Sequence, residues 1–135
     1  MKTAIFIVFT LLFTPVIAAE SDRELTEKIV GMWWNRTSNG HIAVESTENF
    51  GKDGILITKG DVYANGQLVE QYEFKSTWKI ENGNALVEVL ESTNIKTIPV
   101  GLKISDRIIS VDDEKYVYEA EDGSRHTLTR LEKKK

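Results

Sequence analysis

From residue 31 onward the chain alternates between apolar and polar positions with a period of two, and turn-forming residues interrupt the alternation every eight to twelve residues. This spacing is typical of short antiparallel strands joined by tight hairpins. Asn65-Gly66 is the strongest turn signal, because a type I′ turn needs positive φ at both central positions. The pattern predicts eight or nine strands, at residues 31–37, 41–50, 54–64, 67–81, 85–92, 96–105, 107–112, 115–121 and 124–131.

One short helix is predicted ahead of the strands, over residues 22–30. Ser21 and Glu24 have the spacing of a capping box, in which each side chain satisfies a free backbone donor of the other residue. Leu25 and Ile29 then fall on one helical face, and Gly31 ends the helix.

No repeat, proline-rich linker or charge block divides the remaining chain, so we expect one domain over residues 20–135. Eight or nine strands must either stack as two sheets or close on themselves. Serial short hairpins favour closure. The predicted fold class is all-β, a single antiparallel up-and-down meander barrel of eight or nine strands with a short N-terminal helix.

Residues 1–19 have the composition of a secretory signal peptide. Lys2 precedes an apolar run over residues 5–13, and small residues follow it at Ala18 and Ala19. The run is too short to span a bilayer. We therefore expect a secreted or periplasmic protein, cleaved after Ala18 or Ala19, with no membrane span.

Charge and cysteine usage exclude several function classes. The chain has a net charge of −4, and removal of the leader, whose only charged residue is Lys2, takes it to −5. An acidic surface opposes binding to nucleic acid. The absence of cysteine removes disulfides, thiolate nucleophiles and the cysteine of a lipid anchor.

Two short motifs carry a resemblance to a known family. Gly31-Met32-Trp33 follows the helix, and Thr127-Leu128-Thr129-Arg130 lies in the last predicted strand. The first motif resembles the glycine-x-tryptophan signature of the lipocalins and the wider calycin barrels. The resemblance implies that Trp33 packs at the closed end of the barrel with Arg130 across its ring. That contact would tie the first strand to the last.

Thr77-Trp78-Lys79-Ile80 adds to this resemblance, which is closest to short bacterial lipocalin-like domains of unassigned function and covers most of residues 25–131. The family implies a cavity for a small apolar molecule. The strand over residues 67–81 alternates most clearly, and one of its faces carries both aromatic side chains and a carboxylate. The candidate ligand-binding residues are Glu70, Tyr72, Phe74, Trp78, Tyr116 and Tyr118.

No pattern in the chain indicates catalysis, a cofactor or a metal centre. His41 and His126 have no partners at ligand spacing, and catalytic zinc needs three protein ligands. Glu70, Glu73, Glu88 and Glu91 could pair as acid and base, but on strands such residues more often face solvent. We expect a binding protein and no enzyme.

Two functions remain open at this stage. The first is an exported barrel that binds a small hydrophobic molecule in a cavity lined by the candidate residues. The second is an envelope module with a filled barrel that binds a protein, as an inhibitor, immunity or assembly factor. Trp34 must leave the strand on the face opposite Trp33. It is therefore either covered by the helix or part of an exposed contact patch.

Overall fold

The computed structural model describes residues 20–131, so the predicted leader at residues 1–19 and the C-terminal residues 132–135 lie outside the described residues. One helix precedes eight strands. In chain order the elements are α1 (Asp22–Ile29), β1 (Gly31–Asn39), β2 (Ile42–Phe50), β3 (Ile55–Ala64), β4 (Gln67–Glu81), β5 (Asn84–Ser92), β6 (Lys103–Val111), β7 (Lys115–Glu119) and β8 (Arg125–Arg130).

The strands form one closed antiparallel barrel in sequence order, β1 to β8, and β8 pairs back onto β1. The predicted all-β meander barrel is confirmed, with eight strands. Two-residue turns set the register of two hairpins. In the first, φ is 51° at Asn65 and 78° at Gly66; in the second, φ is 52° at Asn82 and 75° at Gly83. These are the positive values that a type I′ turn requires.

Residues 20–131 contain no ninth strand, and the prediction of separate strands at 96–105 and 107–112 is wrong. Residues 93–102 form a loop instead, in which the amide of Ile98 donates to Asn94 and the amide of Leu102 donates to Pro99. Pro99 cannot donate to a ladder, and Gly101 has a φ of 88°. The apolar residues of this loop alternate with polar ones as in a strand, which led to the wrong prediction. Strand β6 in turn continues through residue 106, where the prediction placed a break.

Helix α1 closes one end of the barrel. The Ser21 hydroxyl accepts the amide of Glu24 at 3.2 Å, as a helix cap does, and Leu25 and Ile29 are buried against the strands. The Asp22 carboxylate accepts the backbone amides of Asn82 and Gly83 at 2.8 and 2.9 Å. The helix is therefore fixed both by apolar packing and by hydrogen bonds to the β4–β5 turn.

The packed core lies at this closed end. It consists of one inward side chain from each of the eight strands and one from the helix. They are Ile29, Trp33, Phe50, Leu56, Trp78, Val87, Val111, Tyr116 and Leu128. Aromatic contacts order it: the Phe50 and Trp78 rings meet edge to face at 5.2 Å, and the Trp33 and Tyr116 rings lie 5.8 Å apart.

The junction of first and last strand is held by Arg130. Strands β1 and β8 pair at Trp33–Arg130 and Trp34–Thr129, and just beyond them the amide of Leu131 donates to the carbonyl of Met32 at 3.0 Å. The Arg130 guanidinium lies 4.1 Å above the Trp33 ring and donates to the carbonyls of Lys28, Val30 and Asp113. A Cβ at Gly31 would come within 2.6 Å of Arg130 Nη1. The glycine is therefore needed for the guanidinium to fit.

At the opposite, open end, the first four strands extend beyond the closed part of the barrel. Residues 35–39 of β1 pair with β2 alone, and residues 67–72 of β4 pair with β3 alone. The inner face of this extension is accessible to solvent. Among residues 20–131, no helix is long and apolar enough to cross a membrane.

Arg130→Lys tests the junction. Lysine keeps the charge but has one compact donor group in place of the planar fork that reaches three carbonyls. We expect the free energy of unfolding to fall by about 1–3 kcal/mol, as measured by urea denaturation. The matched control is Arg125→Lys on the same strand, where Arg125 is exposed and pairs with Glu119 at 3.7 Å. That change should stay within about 0.5 kcal/mol; equal losses in the two variants would show that the Arg130 contacts do not hold the junction.

Candidate ligand-binding site

Two carboxylates project into the barrel interior above the packed core. Strand alternation puts Glu48 on the same face as buried Phe50, two residues later on β2. On β6, Asp106 lies between Ile104 and Ile108, both of which pack on the core. Each carboxylate therefore occupies a position where the neighbouring inward residues are apolar.

The two carboxylates line one small void inside the barrel. Its volume is about 40 Å³. Thr58 also lines it, and its hydroxyl has no hydrogen-bond partner although the residue is 4% exposed. The other lining side chains are apolar or aromatic: Phe50, Leu56, Phe74, Ala85, Val87, Ile104 and Tyr116. The void therefore brings three polar groups together among side chains that are otherwise apolar or aromatic.

Burial of Glu48, together with the nearby Asp106 carboxylate, raises its pKa from 4.5 to about 7. Burial of Asp106, together with Glu121, raises its pKa from 3.8 to about 6. Desolvation disfavours the charged form of a carboxyl group, and a second negative charge adds to that effect. Both groups therefore change protonation near neutral pH.

Three half-exposed aromatic rings line the interior between this void and the open end. Tyr72 and Phe74 stack along β4 at 6.3 Å with nearly parallel planes. Tyr118 on β7 stacks on His126 of β8 at 5.1 Å. Burial raises the pKa of Tyr118, with further contributions from Glu48, Asp106 and Tyr72. The two tyrosines and the two carboxylates therefore share one region of the interior.

Gly60 makes room for one of these rings. It pairs with Tyr72 across β3 and β4, and a methyl group at Gly60 would overlap the Tyr72 ring and its hydroxyl. The absence of a side chain allows the ring to lie flat on the barrel wall. The position of Tyr72 in the lumen is thus set by a residue on the neighbouring strand.

The six candidate residues named from sequence do not form one site. Tyr72, Phe74 and Tyr118 lie together in the open half. Tyr116 is 1% exposed and borders the void from below, while Trp78 belongs to the core and donates through Nε1 to Gly51 at 3.0 Å. Glu70 is exposed at the open end and accepts the side-chain amide of Asn94 at 2.9 Å.

Sequence reasoning missed Glu48, Thr58 and Asp106. A signal for them exists, because each lies two residues from an inward apolar residue on the same strand: Phe50, Leu56 and Ile104. Asp106 was missed because the sequence suggests a strand break at that position. Glu48 was missed because most residues of β2 are polar, so no inner face could be recognised. His41 and His126 lie in different parts of the barrel, and residues 20–131 contain no metal-binding group of three or more His, Cys, Asp or Glu side chains.

The half of the interior nearer α1 is filled by the packed core, whereas the inner face toward the open end is accessible to solvent. Pockets that hold drug-sized ligands have volumes of about 300–1,000 Å³. The void of about 40 Å³ has space for one or two waters or for a small head group. A larger depression, of about 550 Å³, lies beside the β1–β2 hairpin and is lined by polar residues that include Arg36, His41 and Glu45.

Trp34 is half-buried on the outer wall. It borders a shallow groove with Thr47 of β2 and Lys59 of β3, and no residue of α1 lines that groove. The other residues that border this groove belong to β2, β3 and β4.

Comparison with known proteins agrees with this architecture. No family model and no curated protein sequence matches the chain. A solved structure described as a lipocalin-like protein from Bacteroides uniformis ATCC 8492 superposes with a TM-score of 0.54 at 14% identity. The match covers 77% of this chain and 99% of that chain. The fold is therefore lipocalin-like, as the glycine-x-tryptophan motif indicates.

Glu48→Gln tests the raised carboxyl pKa. A folded-state pKa above the unfolded value means that the folded protein binds the proton more tightly, so this contribution to stability is present below about pH 4.5 and lost as pH rises through about 7. The variant cannot ionise. Relative to wild type, we expect it to gain stability between pH 5 and pH 8, by at most about 3 kcal/mol, since each pKa unit corresponds to about 1.4 kcal/mol.

Urea unfolding at several pH values measures this difference. Because Glu48 is partly accessible from the lumen, solvent screening makes the stated gain an upper bound. Glu88→Gln, at an exposed position of β5, is the control and should follow the wild-type pH profile. A Glu48→Gln profile parallel to wild type would show that the Glu48 carboxyl is fully solvated.

Gly60→Ala tests the seat of Tyr72. The added methyl group must push the ring away from the wall, and overpacking of this kind costs about 1–3 kcal/mol of unfolding free energy. In a Tyr72→Ala background the same glycine change should cost less than about 0.5 kcal/mol, because the obstructing ring is gone. Additive effects in this double-mutant cycle would contradict the contact.

Proposed function

We propose that this protein is an exported lipocalin-like barrel that binds a small amphiphilic molecule in the open half of its interior, without catalysis of its own. The observation that carries the proposal is the arrangement of Tyr72, Phe74 and Tyr118. These aromatic side chains are half-exposed on the inner face, although the same face is fully packed nearer the helix.

Accessible apolar surface inside a barrel favours an apolar ligand. Burial of such surface contributes about 25 cal/mol for each Å² removed from water. The flat Tyr72–Phe74 pair on β4 and the Tyr118–His126 pair across β7 and β8 offer two aromatic surfaces to the body of a ligand. The open end of the barrel gives access to them without unfolding of the helix.

The void below these rings restricts what the ligand can be. It is too small for a hydrocarbon body and is bordered by two carboxylates and a hydroxyl. A ligand that is apolar throughout would leave these polar groups without partners, which is unfavourable. The ligand therefore combines an apolar part, placed among the rings, with a polar end directed toward the void.

Two further features support the proposal. Lipocalin-like barrels are the family that the Gly31-Met32-Trp33 motif resembles, and that resemblance implies the binding of small apolar molecules. The leader-like sequence at residues 1–19 supports export to the periplasm or the exterior.

A protein-binding module remains the second candidate, because the closed half of the barrel is filled. Large apolar side chains are also exposed on the hairpin and loop at the open end. They are Ile42, Leu68, Val69, Ile95 and Val100. Exposed apolar residues in one region are typical of contact surfaces.

Fluorescence titration with N-phenyl-1-naphthylamine, an uncharged apolar fluorophore, tests the proposed function. We expect saturable binding to the purified protein and an affinity about tenfold lower for Tyr72→Ala and for Tyr118→Ala, since each removes roughly one ring of apolar contact.

Tyr63→Ala is the matched control, because strand alternation places Tyr63 on the outer wall of β3. Its affinity for the fluorophore should equal that of the wild type. Absence of binding to wild type, or an equal loss in all three variants, would contradict a lumenal ligand and leave the protein-binding function.

A further inference from the structure

The void in the barrel presents three oxygen acceptors from three strands: Glu48 on β2, Thr58 on β3 and Asp106 on β6. Glu48 and Thr58 are neighbours across the β2–β3 ladder. Thr58 is 4% exposed and its hydroxyl is buried without a partner, whereas buried hydroxyl groups normally have one. The three groups therefore form an incomplete hydrogen-bonding site.

No basic side chain of the described residues completes this site. The charged groups that shift the pKa of these two carboxyls are themselves acidic: Asp106 raises the pKa of Glu48, and Glu121 raises the pKa of Asp106. The Arg130 guanidinium is held at the closed end over Trp33 by three backbone carbonyls. The negative charge at the void therefore lacks an internal counterion.

The size of the void limits the group that could supply the positive charge. A volume of about 40 Å³ has room for a group the size of a water molecule. A primary ammonium group has about this size and carries three N–H donors and no acceptor. Its three donors match the three acceptors, whereas an alcohol has one donor and a quaternary ammonium has none.

We infer that the ligand of this barrel carries a primary ammonium group, which occupies the void between Glu48, Thr58 and Asp106 while its apolar part lies among Tyr72, Phe74 and Tyr118. This inference rests on the proposed function, of which it specifies the ligand class. Tyrosine faces beside the ammonium add a cation–π attraction.

Calorimetric titration at pH 8 with three probes of equal chain length tests the inference. The probes are n-octylamine, 1-octanol and octyltrimethylammonium chloride. We expect n-octylamine to bind at least tenfold more tightly than 1-octanol. Octyltrimethylammonium should show no such preference, because its three methyl groups exceed the void and it has no N–H donor.

Variants locate the preference. Glu48→Gln and Asp106→Asn should each reduce the affinity for n-octylamine at least tenfold and reduce that for 1-octanol by a much smaller factor, because the alcohol carries no charge and one donor. Thr58→Val, which removes the hydroxyl and keeps the shape, should reduce the affinity for the amine several-fold. Glu88→Gln on the exposed face of β5 is the charge-matched control and should bind both probes as wild type does. Thermal unfolding of each variant verifies that it is folded.

The outcomes separate this inference from the proposed function. Equal affinities for n-octylamine and 1-octanol would overturn the ammonium site and keep the apolar site. Binding of octyltrimethylammonium as tightly as n-octylamine, or retention of the amine preference in both carboxamide variants, would assign the preference to general surface charge and likewise overturn the inference. Failure of all three probes and of the apolar fluorophore would contradict the proposed function itself.

Discussion

The barrel depends on the contacts of the Arg130 guanidinium with the Trp33 ring and with three backbone carbonyls. Hairpins or loops bring the other neighbouring strands together, but β8 reaches β1 without any local connection and pairs with it over a short stretch, from Trp34–Thr129 to the Leu131–Met32 hydrogen bond. Arg130 strengthens this long-range junction by contacting the Trp33 ring and the carbonyls that end α1. Helix, first strand and last strand are thereby joined at one side chain, and Gly31 leaves the space for it.

Closure at that junction divides the interior into two halves with different chemistry. Near α1 the inward side chains are large and apolar, and they pack without room for a ligand. Toward the open end, β1 to β4 extend beyond the closed part of the barrel. Among the described residues, no strands on the opposite side cover their inner face there. The half-exposed rings lie in the open half, and the two carboxylates lie where the open half meets the packed half. Solvent access from the open side is the reason that the carboxyl groups are tolerated at all, since a fully buried and unpaired carboxylate would be too costly.

The sequence was sufficient for the architecture because the relevant signals are local. Asn65-Gly66 favours a turn through the dihedral preferences of these two residues alone. The alternation of apolar and polar residues from Tyr72 to Ile80 indicates which face of β4 points inward. The error over residues 96–105 has the same origin: Ile98, Val100 and Leu102 alternate like a strand, and only the loop geometry around Pro99 and Gly101 removes them from the sheet. The candidate site depends instead on which strands face each other across the lumen. Glu48 and Asp106 are 58 positions apart in the printed sequence, and no local pattern pairs them.

The polar void also bears on why the barrel retains groups that weaken it. Replacing Glu48 and Asp106 by apolar side chains of similar volume would relieve desolvation and charge repulsion, and such replacements are often stabilising. Thr58 and Ser76 add two buried hydroxyls without partners on the adjoining strands β3 and β4. Local violations of packing rules of this kind concentrate where a protein binds or reacts. In this barrel Glu48, Thr58 and Asp106 share one void at the level of the Phe74 ring and are not scattered through the core. A polar ligand end that supplies hydrogen-bond donors and positive charge at that level would turn each of these unfavourable contributions into a favourable one, which is the physical reason for placing the binding site there.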